Sequence, residues 1–493
     1  MTNYTKKAVW GMSLVAVGLF FANVFGYLLR LLLADKLTVA EYGLVFSVMA
    51  FFGLISIFRG FGLSGALVKY VSEALAKKKY SKIKEYLAWT GWIIFLTDVF
   101  IVIVGFLLAD WLGAVYFKND SAALLVRIFA ITLIFQSLTI VTKSSLQAYQ
   151  RMGLSSLFEI LRSLFLFVAT AILLWAGYGV AGVMYAYLVA FFALSIIFMF
   201  IMGRVLKKPL STKTKLTKIG IKKLFRFGLP MMFAGMASLI LSFSDTFLLT
   251  LLSTLEEVGL YQVAQPTANL LLFIPVVLSI VMFPIIAELW AKKKKGLIEA
   301  AAADLYAYAF LAMCPLIIGF VAFRKIIINL LFGAKYLAGS DILLVLAFSV
   351  FFLVLNAINT ALISGIGKPK IITISIISGA ILNIILNLLL IPLYGGLGVA
   401  IATLVSSITI FLVSTILLKK EIIIRPPIII WAKSIFCGFI FWSVLTVGRF
   451  LPMAQIPKAI IALVLAGGAY ALCMLFVGAI KISEIKKIIV RVL

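Results

Sequence analysis

Residues 204–226 read RVLKKPLSTKTKLTKIGIKKLFR, and this stretch decides how the rest of the chain is organised. It contains nine basic residues and no acidic residue, and its Pro209 is expected to stop a helix. Long apolar segments flank it on both sides. Because positive charge accumulates on the cytosolic side of membrane proteins, the stretch predicts a cytosolic linker between two similar membrane-embedded halves. The alternative, a nucleic-acid patch, requires a soluble domain to present it, and the sequence suggests none.

The composition indicates the same class of protein. Of the 493 residues, 64% are hydrophobic and 12% are charged, whereas soluble domains average about 45–50% and about 25%. The chain contains no histidine, which removes the commonest metal ligand and proton shuttle and excludes imidazole-based catalysis. Its cysteines, Cys314, Cys437 and Cys473, lie in apolar runs without ligand spacing, which predicts inert buried thiols. We therefore expect no metal and no cofactor.

Apolar runs long enough to cross about 30 Å of hydrocarbon define the predicted membrane helices. We count fourteen: residues 8–33, 42–66, 86–109, 122–146, 156–176, 179–203, 228–252, 258–284, 299–323, 340–363, 370–391, 395–418, 428–448 and 457–480. With the N-terminus inside, the cytosolic loops and tails carry 32 Lys and Arg, and the outer loops carry 7. The positive-inside rule therefore predicts a multi-pass protein of the cytoplasmic membrane with both termini in the cytosol. The first run is too long for a cleaved signal peptide, so we expect it to be retained.

The chain also repeats itself. Residues 41–44, EYGL, return as EVGL at 257–260, and residues 179–181, GVA, return at 398–400, which are offsets of 216 and 219 residues. The predicted fold is an all-α integral membrane protein with two six-helix repeats around a central cavity. Its parts are an N-lobe (1–203), the linker (204–226), a C-lobe (227–420) and two additional C-terminal helices (421–493).

Several short motifs occur in a specific order: LTVAEYG at 37–43, FGLSGALVKY at 61–70, DTFLL at 245–249, EVGLY at 257–261 and SGIGKP at 364–369. In this order the chain resembles the polysaccharide-transporter (oligosaccharide-lipid flippase) family of the multidrug/oligosaccharidyl-lipid/polysaccharide exporter (MOP) superfamily, over roughly residues 8–420. Gly60 departs from the family pattern, since many relatives carry an acidic residue there, so no carboxylate role transfers to it. The resemblance implies a flippase for a polyprenyl-phosphate-linked oligosaccharide that works by alternating access in cell-surface polysaccharide synthesis.

Four arginines lie inside predicted N-lobe helices: Arg30, Arg59, Arg127 and Arg162. A charge at mid-membrane costs about 2.5–3.5 kcal/mol, so each requires a reason. A guanidinium binds phosphate oxygens through two parallel hydrogen bonds, and the resemblance adds that relatives use cationic cavities. We predict that all four line the substrate cavity, with Arg59 the deepest. For the other three, snorkelling to an interface is an alternative, and Arg162 could also pair with Glu159.

Acidic residues in the predicted helices are candidates for ion coupling. Asp98 could couple transport to Na⁺ or H⁺, or it could form a structural ion pair with an arginine. Asp245 could serve coupling, helix packing or a gate. Asp304 is a further candidate.

Side-chain amides form two groups at helical spacing. Gln262, Gln265 and Asn269 share one predicted helix face, and Asn356 and Asn359 share another. Amides suit sugar hydroxyls, and they also join membrane helices through hydrogen bonds worth about 0.6–2 kcal/mol. We include all five as predicted cavity residues and leave both roles open.

Two other functions are alternatives to the flippase. A cation-coupled multidrug exporter of the same superfamily predicts an acidic cavity and usually twelve helices. A membrane glycosyltransferase or glycan polymerase usually has a large outer loop, whereas the longest predicted outer loop is 324–340. The expected partners are a polyprenyl-(pyro)phosphate-linked glycan and membrane lipids, with glycan-assembly enzymes as further candidates and no nucleic acid. The sequence thus predicts a transporter and not an enzyme.

Overall fold

The structure, a computed structural model, describes residues 3–424, 426–448 and 455–479; their side chains are described from residue 15 onward, except at 234, 273–281 and 455–456. The described chain is helical and divides into two compact units, residues 1–262 and 263–493. Its α-helices are α1 (Asn3–Lys36), α2 (Val39–Ile55), α3 (Leu63–Ala76), α4 (Tyr80–Trp111), α5 (Ala122–Ala148), α6 (Met152–Trp175), α7 (Gly179–Val205), α8 (Lys207–Ser211), α9 (Lys218–Leu252), α10 (Leu255–Asn269), α11 (Phe273–Ala291), α12 (Lys295–Phe332), α13 (Gly339–Gly365), α14 (Pro369–Leu418), α15 (Ile428–Gly448) and α16 (Gln455–Phe476). The all-α membrane fold is confirmed.

Within the described residues, twelve helices are long and apolar enough to cross a membrane. Two predicted segments, 370–391 and 395–418, lie together in the 50-residue α14, where Gly395 has non-helical angles (φ 53°, ψ −130°). The predicted segment 258–284 falls on α10 and α11, which a 3₁₀ turn at Leu270–Leu272 separates. The multi-pass architecture is confirmed, and the count of fourteen stays a prediction.

Large apolar side chains remain exposed on both units. Trp175 is 92% exposed and Leu107 78% in the first unit, and Phe476 is 88% exposed in the second. Soluble proteins rarely expose such surfaces over large contiguous areas. Hydrocarbon chains must therefore cover these side chains.

The repeated EYGL and EVGL motifs both begin helices in the first unit. At the start of α2, Thr38 Oγ1 accepts from the backbone N–H of Glu41 (3.2 Å), and the Glu41 carboxylate accepts from the backbone N–H of Thr38 (2.8 Å). This reciprocal capping box satisfies two N–H groups that the helix leaves free. At α10, the backbone N–H of Glu257 donates to Thr254 Oγ1 (3.3 Å). The offset of 216 residues therefore marks two helix starts at which a threonine hydroxyl accepts from the backbone N–H of the glutamate three residues later.

The glycines of these two motifs bring α2 and α10 into backbone contact. A Cβ atom on Gly43 would lie 1.9 Å from the Leu255 carbonyl oxygen and 2.9 Å from the Gly259 nitrogen. A Cβ atom on Gly259 would lie 2.3 Å from the Val39 carbonyl oxygen. No other residue fits at either position without moving backbone.

The second membrane crossing is broken between α2 and α3. The 3₁₀ segment Ser56–Gly62 joins them, and Gly60, Phe61 and Gly62 have positive φ angles of 63°, 51° and 71°. Glycine adopts such angles without strain, so two of the three positions favour the break. Arg59 begins the break with an extended backbone (ψ 115°), which departs from the path of a continuous helix.

The predicted linker is largely helical. It comprises the end of α7, the short α8 and the start of α9, so that only residues 212–217 form an extended connection. Pro209 does not stop a helix as predicted: α7 ends earlier, at Val205, and Pro209 lies in the first turn of α8. A proline is tolerated there because the N–H groups of a first turn have no helical acceptor.

Residues of α4 hold the linker in place. The buried carboxylate of Glu85 (1% exposed) accepts from the Thr217 backbone N–H at 3.0 Å and from the Thr217 hydroxyl. Lys84 Nζ donates to the carbonyl oxygens of Leu210 (2.7 Å) and Thr212 (3.1 Å). The linker is thus anchored to the first unit by polar contacts with defined partners.

In the second unit, α15 packs against α12 and α16. A Cβ atom on Gly448 would lie 2.5 Å from Ala462 Cβ, and one on Gly438 would lie 2.9 Å from Cys314 Sγ. Cys437 and Cys473 are buried in the resulting apolar cluster. The small residues allow the three helices to approach closely, as is typical of membrane helix packing.

Candidate functional site

Arg59 is neutralised by a carboxylate. Its Nε and Nη2 donate to the two oxygens of Asp98, each at 2.7 Å, and these side chains are 8% and 0% exposed. Arg59 Nη1 also donates to Gln136 Oε1 (2.9 Å), and Nη2 to the Leu133 carbonyl oxygen (3.2 Å). The structural ion pair, one of the two alternatives for Asp98, is therefore present. A role of Arg59 in phosphate binding, or of Asp98 in ion coupling, stays a prediction.

Arg127 forms an ion pair near the surface. Its Nη2 lies 2.6 Å from Asp110 Oδ2, and the two side chains are 35% and 76% exposed. Exposed pairs of this kind contribute about 0–1 kcal/mol. This geometry fits the interfacial alternative for Arg127 better than a position in a cavity.

Arg162 shares one carboxylate with a second cation. Its Nε donates to Glu159 Oε2 at 3.0 Å, and Lys143 Nζ binds the other oxygen, Oε1. Glu159 is 15% exposed, whereas Lys143 and Arg162 are 40% and 34% exposed. Two cations on α5 and α6 therefore face one carboxylate, so the cluster keeps one positive charge and leaves both cations accessible.

Arg30 has neutral partners. Its Nη1 donates to the carbonyl oxygen of Gln262 (3.0 Å) and to Gln262 Oε1 (3.3 Å), and its guanidinium lies 4.2 Å from the ring centre of Phe46. In the part of the chain that the structure describes, no carboxylate lies within ion-pair distance of Arg30. Half-buried Arg30 therefore keeps a full positive charge among apolar helices.

Tyr187 on α7 links Arg30 and Arg162. Its side chain is half-buried, its hydroxyl contacts Met49 Sδ at 3.6 Å, and both arginines act on it electrostatically. Helices α5 and α6 thus place Lys143 and Arg162 against the carboxylate of Glu159, and Arg30 of α1 acts on the same tyrosine as Arg162 without an ion pair of its own. We call these four residues and Tyr187 the cationic site; its net charge is two positive.

Asp245 belongs to a hydrogen-bonded group next to Arg30. The Tyr261 hydroxyl donates to Asp245 Oδ2 at 2.9 Å, and Gln262 Nε2 donates to Thr246 Oγ1 at 2.6 Å. Asp245 is 4% exposed. Its hydrogen bond to Tyr261 fits the packing or gate alternative, and ion coupling by Asp245 stays a prediction.

The amides of the second unit are drawn into helix contacts. Asn359 is completely buried, accepts from the Tyr306 hydroxyl, and donates to Ser414 Oγ (2.7 Å) and Thr415 Oγ1 (2.9 Å). The Asn356 amide oxygen accepts from Ser414 Oγ (3.0 Å). These contacts correspond to the interhelical alternative for both amides.

The remaining predicted residues differ in their exposure. On α10, Gln262 is buried, Gln265 is half-buried and Asn269 is exposed. Asp304 on α12 is exposed. Among the described residues, no group of three or more Cys, Asp or Glu side chains could hold a metal ion.

The sequence analysis did not name Lys143 or Tyr187 as site residues. Residue 143 lies near the end of the predicted helix 122–146, where a lysine is typical of the membrane interface. Tyr187 lies in an apolar run, where a tyrosine gives no signal of its own.

Comparison with known proteins identifies the family. Residues 9–290 match the family described as "Polysaccharide biosynthesis protein", and residues 230–389 match "MatE". An "Uncharacterized membrane protein MJ1068" of Methanocaldococcus jannaschii is 30% identical over 421 residues, which cover 81% of this chain and 82% of that protein. The "Probable low-salt glycan biosynthesis flippase Agl15" of Haloferax volcanii is 25% identical over 407 residues, which cover 82% and 81%.

Solved structures share the fold. One described as "Lipid II flippase MurJ, inward closed conformation" aligns with a TM-score of 0.77 at 18% identity, covering 93% of this chain and 97% of that one. An inward-facing "multidrug resistance MATE family transporter of the MOP superfamily" aligns with a TM-score of 0.64 at 16% identity, covering 80% and 94%. Since the first family matches more than half of the sequence, this chain belongs to the polysaccharide biosynthesis protein family.

Proposed function

We propose that this protein is a flippase that moves a polyprenyl-phosphate-linked oligosaccharide across the cytoplasmic membrane by alternating access. The observation that carries the proposal is the cationic site inside a membrane domain, where Lys143 and Arg162 share one carboxylate and Arg30 binds the neutral Gln262. Uncompensated charge in a membrane is expensive and is found where a substrate or ion uses it. An anionic substrate group supplies the missing negative charge.

The names of relatives support the same function. Agl15 and a second Haloferax volcanii protein, "Probable flippase AglR", are named as flippases, and the aligned MurJ structure is described as a lipid II flippase. A lipid-linked glycan carries a phosphate or pyrophosphate between its sugar and its lipid. That group has to leave water while its charge is neutralised, and a transporter fills this role without catalysing a reaction.

The contacts of Arg30 suggest how the phosphate binds. Arg30 donates to Gln262 through Nη1 and also interacts with the Tyr42 hydroxyl, and we infer that its remaining N–H groups bind phosphate oxygens. Arginine stays charged at any physiological pH and presents a planar fork that matches phosphate. In this mechanism Lys143 and Arg162 contribute the second half of the positive charge, and release follows when the surrounding helices rearrange.

The alternative is a cation-coupled multidrug exporter. The MatE match over residues 230–389 and the MATE structures of similar fold favour it. Such an exporter needs carboxylates that bind a cation, whereas Asp98 is held by Arg59 and Glu159 by two cations. The charge of the site therefore favours an anionic substrate.

Reconstitution in vesicles distinguishes the two functions. Purified protein in liposomes should move a fluorescent polyprenyl-pyrophosphate-linked sugar to the outer leaflet, where a membrane-impermeant glycosidase cleaves it. A cationic dye should not be transported. Transport of the dye without transport of the lipid-linked sugar would overturn the proposal.

Orientation and partners are part of the same proposal. We infer that both termini and the basic linker lie in the cytosol, which the 32 to 7 distribution of loop cations supports. The substrate would then be received from glycan-assembly enzymes on the cytosolic side.

A further inference from the structure

A separate cavity of about 390 Å³ lies in the second unit, between the C-terminal parts of α12 and α15 and the start of α16. Apolar atoms of Ile326, Leu445 and Ala462 form part of its lining. Three cations complete it: Arg324, Lys325 and Lys458. The volume lies within the range of about 300–1,000 Å³ typical of small-molecule sites.

Positive charge dominates this cavity. Arg324 Nε donates to Asp341 Oδ1 at 3.3 Å, and its Nη1 donates to the Val321 carbonyl oxygen at 3.2 Å. Asp341 is 63% exposed, so water weakens the pair. Nη2 of Arg324 is not used by these contacts and can bind a further acceptor.

The position of these cations is unusual for a membrane protein. Only seven basic residues lie in the predicted outer loops, and three of them line this single cavity. A fourth, Arg449, lies outside the described residues. Topology does not explain the cluster, because the positive-inside rule acts against cations on this side.

We propose that this cavity binds the phosphate headgroup of an anionic membrane lipid. The three cations match the phosphate, and the apolar walls, formed by helices that run along the hydrocarbon, match the upper part of a lipid chain. Lysine and arginine near a bilayer surface each contribute about 1 kcal/mol to binding an anionic lipid. The site is separate from the cationic site of the first unit; it rests on the proposed orientation and not on the proposed transport.

Native mass spectrometry of protein released from nanodiscs tests the proposal. With equal amounts of phosphatidylglycerol and phosphatidylcholine in the nanodisc, the wild type should retain phosphatidylglycerol preferentially. The triple variant Arg324→Gln, Lys325→Gln, Lys458→Gln should lower that retention by about fivefold for each charge removed. The variant Ala459→Trp should also lower it, because the indole fills the cavity while every cation remains.

A matched control removes the same charge elsewhere on the predicted outer side: Lys36→Gln, Lys118→Gln, Lys335→Gln. This variant should retain lipid as the wild type does. Equal loss in the control, or unchanged retention in Ala459→Trp, would overturn the proposal. Displacement of the lipid by millimolar inorganic phosphate would also contradict it, because the site would then bind free phosphate. If the triple variant does not fold, Ala459→Trp decides the question alone.

Discussion

Arg59 and Asp98 form a two-point ion pair inside the first unit, with Nε–Oδ1 and Nη2–Oδ2 distances of 2.7 Å each. The pair joins the break between α2 and α3 to the middle of α4. Each charge cancels the other. Arg59, predicted to be the deepest of the four arginines, is therefore also the one with the most hydrogen bonds to protein groups. The excess positive charge lies instead at Arg30 and around Glu159.

The first prediction concerns this pair. Arg59→Ala should destabilise the folded protein by about 3–5 kcal/mol, since it leaves the carboxylate of Asp98 buried without a partner. The double variant Arg59→Ala, Asp98→Ala should recover much of that loss. Thermal unfolding of the two single variants and the double variant measures the coupling. Equal stability of Arg59→Ala and the wild type would show that the pair is not structural.

The second prediction concerns the glycine contact between α2 and α10. Gly43→Ala should lower stability by at least about 1–3 kcal/mol, because the new Cβ would lie 1.9 Å from the Leu255 carbonyl oxygen and force the backbone apart. Gly26→Ala on α1 is the matched control, since no atom lies within 4 Å of the added Cβ. The control should match or exceed the wild type, as alanine favours helix over glycine by about 1 kcal/mol. Similar melting temperatures for the two variants would contradict the close approach.

The third prediction concerns the linker. Glu85→Ala should raise amide hydrogen exchange at Thr217 and Gly220, because the buried carboxylate holds Thr217, and Thr217 in turn caps α9 through the Gly220 N–H (3.1 Å). The matched control is Glu73→Ala, whose carboxylate is 45% exposed and lies 3.8 Å from Lys223 Nζ. Exchange in the control should stay at the level of the wild type. Unchanged exchange in Glu85→Ala would mean that the carboxylate does not anchor the linker.

The fourth prediction concerns topology. Single cysteines introduced at Lys78 and Lys215 should react with an impermeant maleimide only after the cytosolic side is exposed. A cysteine at Asn119 should react in intact cells. Labelling of residue 215 from outside would invert the proposed orientation, and with it the direction of transport.

The sequence predicted the helical segments well because the membrane imposes a simple rule. Every backbone group must be paired within a helix about 20 residues long, so apolar length alone locates the spans. Single residues that shape the backbone were less well predicted: Gly395 breaks α14 between the predicted spans 370–391 and 395–418, in agreement with their boundary, whereas Pro209 lies inside a short helix and does not stop one. Both depend on local backbone geometry that apolar length does not encode.

The partners of the charged residues were harder to predict. Asp98 is 39 positions from Arg59, and Gln262 is 232 positions from Arg30, so helix packing decides which side chains meet. Spacing along a single helix pointed to Glu159 for Arg162, because an i,i+3 contact follows from helix geometry. It could not show that Lys143 shares this carboxylate, which makes the site cationic.

The most direct test of the account is flipping of a lipid-linked sugar by vesicles that contain Arg30→Gln, Arg162→Gln or the matched control Arg151→Gln. Arg151 is an exposed arginine immediately before α6, so it controls for the loss of one guanidinium. A charged hydrogen bond contributes about 1.5–3 kcal/mol, so each site variant should flip at least about tenfold more slowly at limiting substrate. Arg30→Lys should keep part of the activity, and all variants should unfold near the wild-type temperature. Wild-type flipping by both Arg30→Gln and Arg162→Gln would contradict the claim that the cationic site binds the lipid phosphate.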